Sequence, residues 1–113
     1  RHPLDLQAMQ EAAQHLCDTH DFTGFAAAAT QVKSRIRQVY LSQIQKRGHH
    51  VTYRVEANGF LHHMVRNIVG TLLQIGSGKR PASDIRRILT SRNRRMAGPT
   101  APAQGLYMMK TWY

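Results

Sequence analysis

The sequence predicts an α+β fold, an antiparallel sheet with helices packed on one face, formed as a single domain over residues 1–113. Three observations predict it. "VTYRVEA" (51–57) alternates apolar and polar residues with a period of two, the pattern of a half-buried strand. "GFLHHMVRNIVGTL" (59–72) places Leu61, Met64, Val65, Ile68 and Leu72 at helical spacing, which gives one apolar stripe. The segments run helix, strand, strand, helix, helix, strand, an order that suits helices covering an antiparallel sheet. A chain of 113 residues, 42% of them hydrophobic, is long enough for one packed core and too short for two.

Asp5 is placed to cap a first helix running to about Cys17, with Leu6, Met9, Ala12, Ala13 and Leu16 on its inner face. "DTHDFTGF" (18–25) then breaks the helix with turn formers and two aromatics, and "AAAA" (26–29) is a loop or a short helical turn. From Arg35 to Gln45 the β-formers Ile36, Val39, Tyr40, Leu41 and Ile44 suggest a strand with imperfect alternation. "KRGHH" (46–50) turns it into the strand at 51–57 as an antiparallel hairpin, which Asn58-Gly59 ends. The long helix runs from about Phe60 to Ile75, closed by "GSGK" (76–79) with glycine at its C-cap. Ser83 is expected to cap a short helix with Ile85, Ile88 and Leu89 inward and Arg86 and Arg87 outward. "AGPTAPAQG" (97–105) is a rigid loop, and "LYMMKTWY" (106–113) is a final strand.

Charge is unevenly spread. Residues 1–30 set Arg1 against Asp5, Glu11, Asp18 and Asp21, whereas residues 31–113 set fifteen Lys and Arg against Glu56 and Asp84. Such asymmetry favours a polyanionic partner, with nucleic acid foremost; a basic surface without such a partner is the alternative. The absence of a basic amphipathic helix with exposed Trp or Phe argues against an anionic membrane face. No apolar run approaches the roughly 18 residues of a membrane span, and no signal-peptide pattern opens the chain. The single cysteine, Cys17, excludes an internal disulfide and fits a reducing compartment, so a cytoplasmic location is expected. The chain does not begin with Met, which suggests a piece of a longer protein.

Arg66 is the odd residue of the long helix. At 100° per residue it lies about 120–140° from the centre of the apolar stripe, at its border. His62 sits one turn before it and Gly70 one turn after, on an edge where something can pack closely. Two readings stand. Arg66 extends to solvent over its own aliphatic stem, or its planar fork of donors holds a carboxylate or phosphate in a cleft. No acid in the chain has a spacing that makes it the evident partner. His62-His63 and His49-His50 do not form a metal site: adjacent helical residues diverge by about 100°, and no His-x-x-x-His or second cysteine completes a ligand set. They read as surface or RNA-facing histidines. Cys17, near Asp18 and Asp21, lacks the positive surroundings that activate a thiol. "KRPASDIRRILTSRNRR" (79–95) sets seven basic residues against Asp84 alone. A solvated helix face normally alternates its charges, so phosphate tracking is the better account.

Taken together, "HDFTGF" (20–25), "GFLHHMVRNIVGTL" (59–72) and "RRMAGPTAPAQGLY" (94–107) resemble the C-terminal half of the bacterial-type tRNA pseudouridine synthases that modify the anticodon stem-loop. The resemblance covers essentially the whole chain. It implies one half of a two-part pseudouridine synthase fold, and isomerisation of a flipped-out uridine without cofactor or metal. It also implies tRNA as partner and a homodimer in the full-length protein. The family's catalytic aspartate lies in a "GRTDAGVHA"-like motif of the N-terminal half, which is absent here; Asp5, Asp18, Asp21 and Asp84 match nothing like it. The piece is therefore expected to be inactive alone. Arg66 is similar to the arginine that pairs with that aspartate, and Leu106 to the leucine lying against the target uracil. Lys33, Arg37, His62, Lys79, Arg80, Arg86, Arg87, Arg94 and Arg95 are the candidate RNA contacts, resting mainly on charge. A basic RNA-binding module that does no chemistry is the alternative function.

Overall fold

The computed structural model describes residues 3–28, 31–102 and 107–111. Its elements are α1 (Leu6–Gln14), β1 (Asp18–Asp21), β2 (Ile36–Arg47), β3 (His50–Ala57), α2 (Met64–Gly76), α3 (Asp84–Ser91) and β4 (Tyr107–Thr111). Short 3₁₀ turns occupy Thr23–Phe25 and Arg94–Met96. The fold is α+β, with a four-stranded sheet in the order β1-β2-β3-β4. Helix α1 packs against both β2 and α2. Tyr53, Val55 and Ala57 of β3 join Leu16, Phe22, Phe25, Met64, Ile68, Leu72, Ile85 and Ile88 in one buried core.

The sheet is mixed, where the sequence suggested an antiparallel one. Strands β1, β2 and β3 pair antiparallel, but β4 runs parallel to β3, with Tyr53 opposite Tyr107 and Ala57 opposite Thr111. The connection from Ala57 to Tyr107 carries α2 and α3. A crossover of that length allows the chain to return in the same direction, which a tight hairpin cannot do. Strand β1 was also unexpected. "DTHD" holds no strong β-former except Thr19; it pairs because β2 presents a free edge, and its polar side chains suit an edge position.

The imperfect alternation of β2 has a local cause. The register slips between Val39 and Leu41, so that Val39 faces Ala57 while Leu41 faces Glu56. The extra residue, Tyr40, is exposed, and the inward phase passes from Val39 to Ser42. On β3 the buried Tyr53 hydroxyl lies 2.7 Å from the Ser42 hydroxyl, and burial pushes the phenol well above its ordinary pKa.

Helix termini differ from expectation where the chain has other hydrogen-bond partners. Asp5 caps α1 by accepting from the Ala8 N–H at 3.0 Å, but the helix ends at Gln14. Helix α2 starts at Met64, after the expected Phe60, because Asn58 is still tied to Gln38 of β2 and the His62 carbonyl accepts from Ala27 N–H. Gly78 ends α2 in the left-handed region at φ 80°. Its N–H donates to Ile75 and that of Lys79 to Gln74, the paired bonds of a Schellman closure. Ser83 makes no capping bond: its backbone is already helical, with φ −64° and ψ −15°, which turns the hydroxyl away from the free amides.

Asp21 fixes the turn that carries Phe22 and Phe25 into the core. Its carboxylate accepts from the Thr23 hydroxyl and, at 2.9 Å, from the Thr23 N–H. The Thr23 hydroxyl first, then its amide, with Arg92 and Arg35 nearby, hold the carboxyl below the usual range against some opposing burial. A depressed folded pKa gives stability that is complete above the unfolded value of about 3.9 and is lost as pH falls through the folded one. Melting temperature is therefore expected to fall with pH below about 4, and less steeply in Asp21→Asn. An identical slope in the two proteins contradicts this assignment.

Candidate functional site

Three distant stretches meet along the first two turns of α2. The segment after β1 lies on one side, where the buried Asn67 amide donates to the Phe25 carbonyl at 2.7 Å and Ala27 N–H donates to the His62 carbonyl at 3.0 Å. The 98–101 loop lies on the other. Gly98 N–H donates to the Thr71 hydroxyl at 2.8 Å, and the Thr100 hydroxyl donates to the Asn67 side-chain oxygen. Gly70 permits this contact: a Cβ there would fall 1.6 Å from the Pro99 carbonyl oxygen. Only a residue without a side chain lets the loop backbone lie on the helix backbone.

Arg66 sits inside this joint. Its own carbonyl accepts from Ala101 N–H at 3.0 Å, and its Nε donates back to the Ala101 carbonyl at 2.7 Å. The residue is half-buried and its guanidinium is held by one edge. No acid among the described residues forms an ion pair with it; the pairs there include Arg54–Glu56, Arg80–Asp84, Arg87–Asp84 and Arg92–Asp21. The Ala101 carbonyl on Nε restrains the side chain against free extension over its own stem. With Nε occupied, the two terminal nitrogens are the donors left to grip an anion end-on.

The entry to α2 is unusual. His63 is left-handed at φ 60°, and its ring stacks on that of His62 with centroids 4.0 Å apart. Both imidazoles are exposed at the helix N-terminus. Partial loss of water, then the His62 and Arg66 charges, hold the His63 imidazole below its ordinary pKa. In a ¹H–¹⁵N titration His63 is expected to stay neutral below the pH at which a free imidazole protonates, near 6.5. Arg66→Gln should raise its midpoint; no movement in that variant contradicts the coupling.

The other residues singled out in the sequence are scattered. Leu106 lies outside the described residues. Lys33, Lys79, Arg86 and Arg95 are exposed. Arg37 donates Nη1 to the Ser34 and Ile36 carbonyls, both at 2.8 Å. Arg80 is engaged on three sides, by Asp84 and Gln74 at 3.0 Å and by the Met96 carbonyl at 2.5 Å. Arg87 lies 3.5 Å from Asp84. Arg94 does join the site, donating to the Asn67 side chain at 3.0 Å and the Thr100 hydroxyl at 3.3 Å. Lys79 stands at the rim of a groove of about 280 Å³ between α2 and the 99–102 loop, beside Leu73 and Pro99. Arg86 lines a different cavity of about 400 Å³ with His15, Cys17, Asp18 and His20. Burial raises the Cys17 thiol pKa, as expected of a thiol that is not activated. Among the described residues no cluster of three or more His, Cys, Asp or Glu could hold a metal ion.

Asn67 is the site residue that the sequence reading missed. It is 1% exposed and its side chain joins Phe25, Arg94 and Thr100. A signal was available: Asn67 and Thr71 are polar residues four apart in the buried part of an otherwise apolar helix, and buried polar groups need partners.

The chain is similar to known proteins over nearly its whole length. The sequence profile of a family described as "tRNA pseudouridine synthase" matches residues 12–113. The protein called tRNA pseudouridine synthase A of Geobacillus kaustophilus is 46% identical over 114 residues, covering 99% of this chain and 44% of its own length. That of Brevibacillus brevis is 48% identical, covering 100% of the chain and 46% of its own. That of Streptococcus equi subsp. zooepidemicus is 49% identical over 115 residues, with 99% and 46% covered. The chain thus spans less than half the length of these relatives.

Proposed function

The chain belongs to the tRNA pseudouridine synthase family, and we propose that it is the C-terminal half of an enzyme isomerising uridine to pseudouridine in the anticodon stem-loop. In that reaction the bond from ribose to N1 breaks, the uracil turns, ribose rejoins at C5, the C5 proton leaves to solvent, and N1 takes up a proton. The aspartate that starts it is supplied by an N-terminal half, and Arg66 orients its carboxylate. A cation gripping a carboxylate bidentately fixes its direction and keeps it ionised, since an adjacent positive charge lowers an acid's pKa.

The observation that carries this reading is the Ala101 carbonyl on Arg66 Nε. It turns a flexible side chain into a fixed donor pair without an acid of its own among the described residues. Leu106 is proposed to lie against the uracil, where apolar contact leaves the ring free to turn. Lys33, Lys79, Arg86 and Arg95, exposed in this half, are proposed phosphate contacts. The full-length protein is proposed to be cytoplasmic, to act as a homodimer and to need no cofactor. Within the described residues no helix is long and apolar enough to cross a membrane.

Tritium release from tRNA carrying 5-tritiated uridine tests the division of labour. The full-length protein is expected to release tritium and residues 1–113 alone to release none. Turnover by the isolated piece overturns the proposal, because it places the nucleophile here.

A further inference from the structure

The densest basic run of the sequence is partly engaged within the fold. Arg80 serves Asp84, Gln74 and Met96, Arg94 serves Asn67 and Thr100, and Arg87 and Arg92 face Asp84 and Asp21. The far end of the β2–β3 hairpin is the reverse case. The last fully buried residues are Ser42 on β2 and Tyr53 on β3. Beyond them Lys46, Arg47, His49 and His50 are all exposed around Gly48. Ile44 still packs against the core, and at about 3.3 Å per residue the strand from Ile44 to Lys46 carries this tip roughly 7 Å beyond it.

Nothing acidic accompanies it. Residues 43–52 contain no Asp or Glu, and the first acid along either strand, Glu56, pairs with Arg54 at 2.9 Å. None of the ion pairs among the described residues engages Lys46 or Arg47. The register sets Arg47 directly opposite His50, so two cation-capable side chains share one face and Lys46 lies on the other. A hairpin closed by a two-residue turn, with Gly48 in the left-handed region at φ 58°, holds these groups in place, so little ordering is needed on contact.

We infer that the tip of the β2–β3 hairpin, through Lys46 and Arg47, is an RNA-phosphate contact separate from the joint at α2. The inference rests on the tRNA reading given above. Its test is the salt dependence of tRNA binding by the full-length protein and by a Lys46→Ala/Arg47→Ala variant. Each phosphate contact adds about 0.7 to 0.9 to the slope of log affinity against log salt. The variant is expected to have a slope shallower by about 1.4 to 1.8 and, at low salt, roughly tenfold weaker binding. The charge-preserving Lys46→Arg/Arg47→Lys pair should restore both. Hydrogen exchange on the unaltered protein, which needs no substitution, should show residues 45–51 protected by tRNA. An unchanged slope together with no protection overturns the hairpin contact while steep binding by the parent protein leaves the tRNA reading standing. Parent binding without salt dependence overturns both.

Discussion

Arg66→Ala in the full-length protein is expected to lower turnover roughly 10²–10³-fold, the cost of removing one preorganised charged donor from a reacting centre. Affinity for tRNA should change only a few-fold, because many phosphate contacts share the binding energy and this guanidinium is one charge among them. The split between turnover and affinity identifies the role. A phosphate contact would weaken binding and lower the salt slope by about 1, leaving turnover at saturating tRNA almost intact. Arg66→Lys should not rescue: an ammonium provides neither the planar fork nor the Nε that donates to the Ala101 carbonyl at 2.7 Å. Rescue by lysine would show that charge alone matters there.

Gly70→Ala is the substitution expected to harm the fold most. The new Cβ would stand 1.6 Å from the Pro99 carbonyl oxygen and 2.8 Å from its carbonyl carbon, and both are backbone atoms that no rotamer change can move. Relief requires the 98–101 loop to leave α2. That breaks the Gly98 bond to Thr71 and both Ala101 bonds to Arg66. A loss of about 3 kcal/mol or more is expected, in the range where overpacking combines with broken buried hydrogen bonds. For a domain of this size that corresponds to a melting temperature lower by roughly 10 °C or more. Arg66 would lose its anchor as well, so turnover at a permissive temperature should fall too. A change of only a degree or two would mean that the loop is held elsewhere.

Much of this joint is legible in the sequence. The stripe from Leu61 to Leu72, the glycine closure after Ile75 and the alternation of 51–57 each follow from local periodicity and turn chemistry. All three are present as α2, the left-handed Gly78 and β3. Arg66 stood out because a charge at the border of an apolar stripe requires a reason. What stayed hidden depends on residues far apart in the chain. β1 pairs with Ile36–Val39, and no property of "DTHD" announces that partner. The parallel return of β4 is set by the path of the long crossover, which periodicity does not encode. Asn67 and Arg94 are 27 residues apart, and their contact exists only once Gly70 has let the loop settle on the helix. The basic run at 79–95 is divided for the same reason: Arg80 and Arg94 hydrogen-bond within the fold, whereas Lys79, Arg86 and Arg95 are exposed. A sequence shows how many cations there are, whereas the fold decides which of them already have partners.

The structure of the full-length protein tests most directly whether Arg66 receives an aspartate from polypeptide outside this chain. The distance to read is from the Arg66 terminal nitrogens to the nearest carboxylate of the N-terminal half. An aspartate oxygen at about 2.7–2.9 Å, the spacing of a charge-assisted hydrogen bond, is the predicted result. A guanidinium facing solvent, with every aspartate of the other half beyond hydrogen-bond reach, contradicts it.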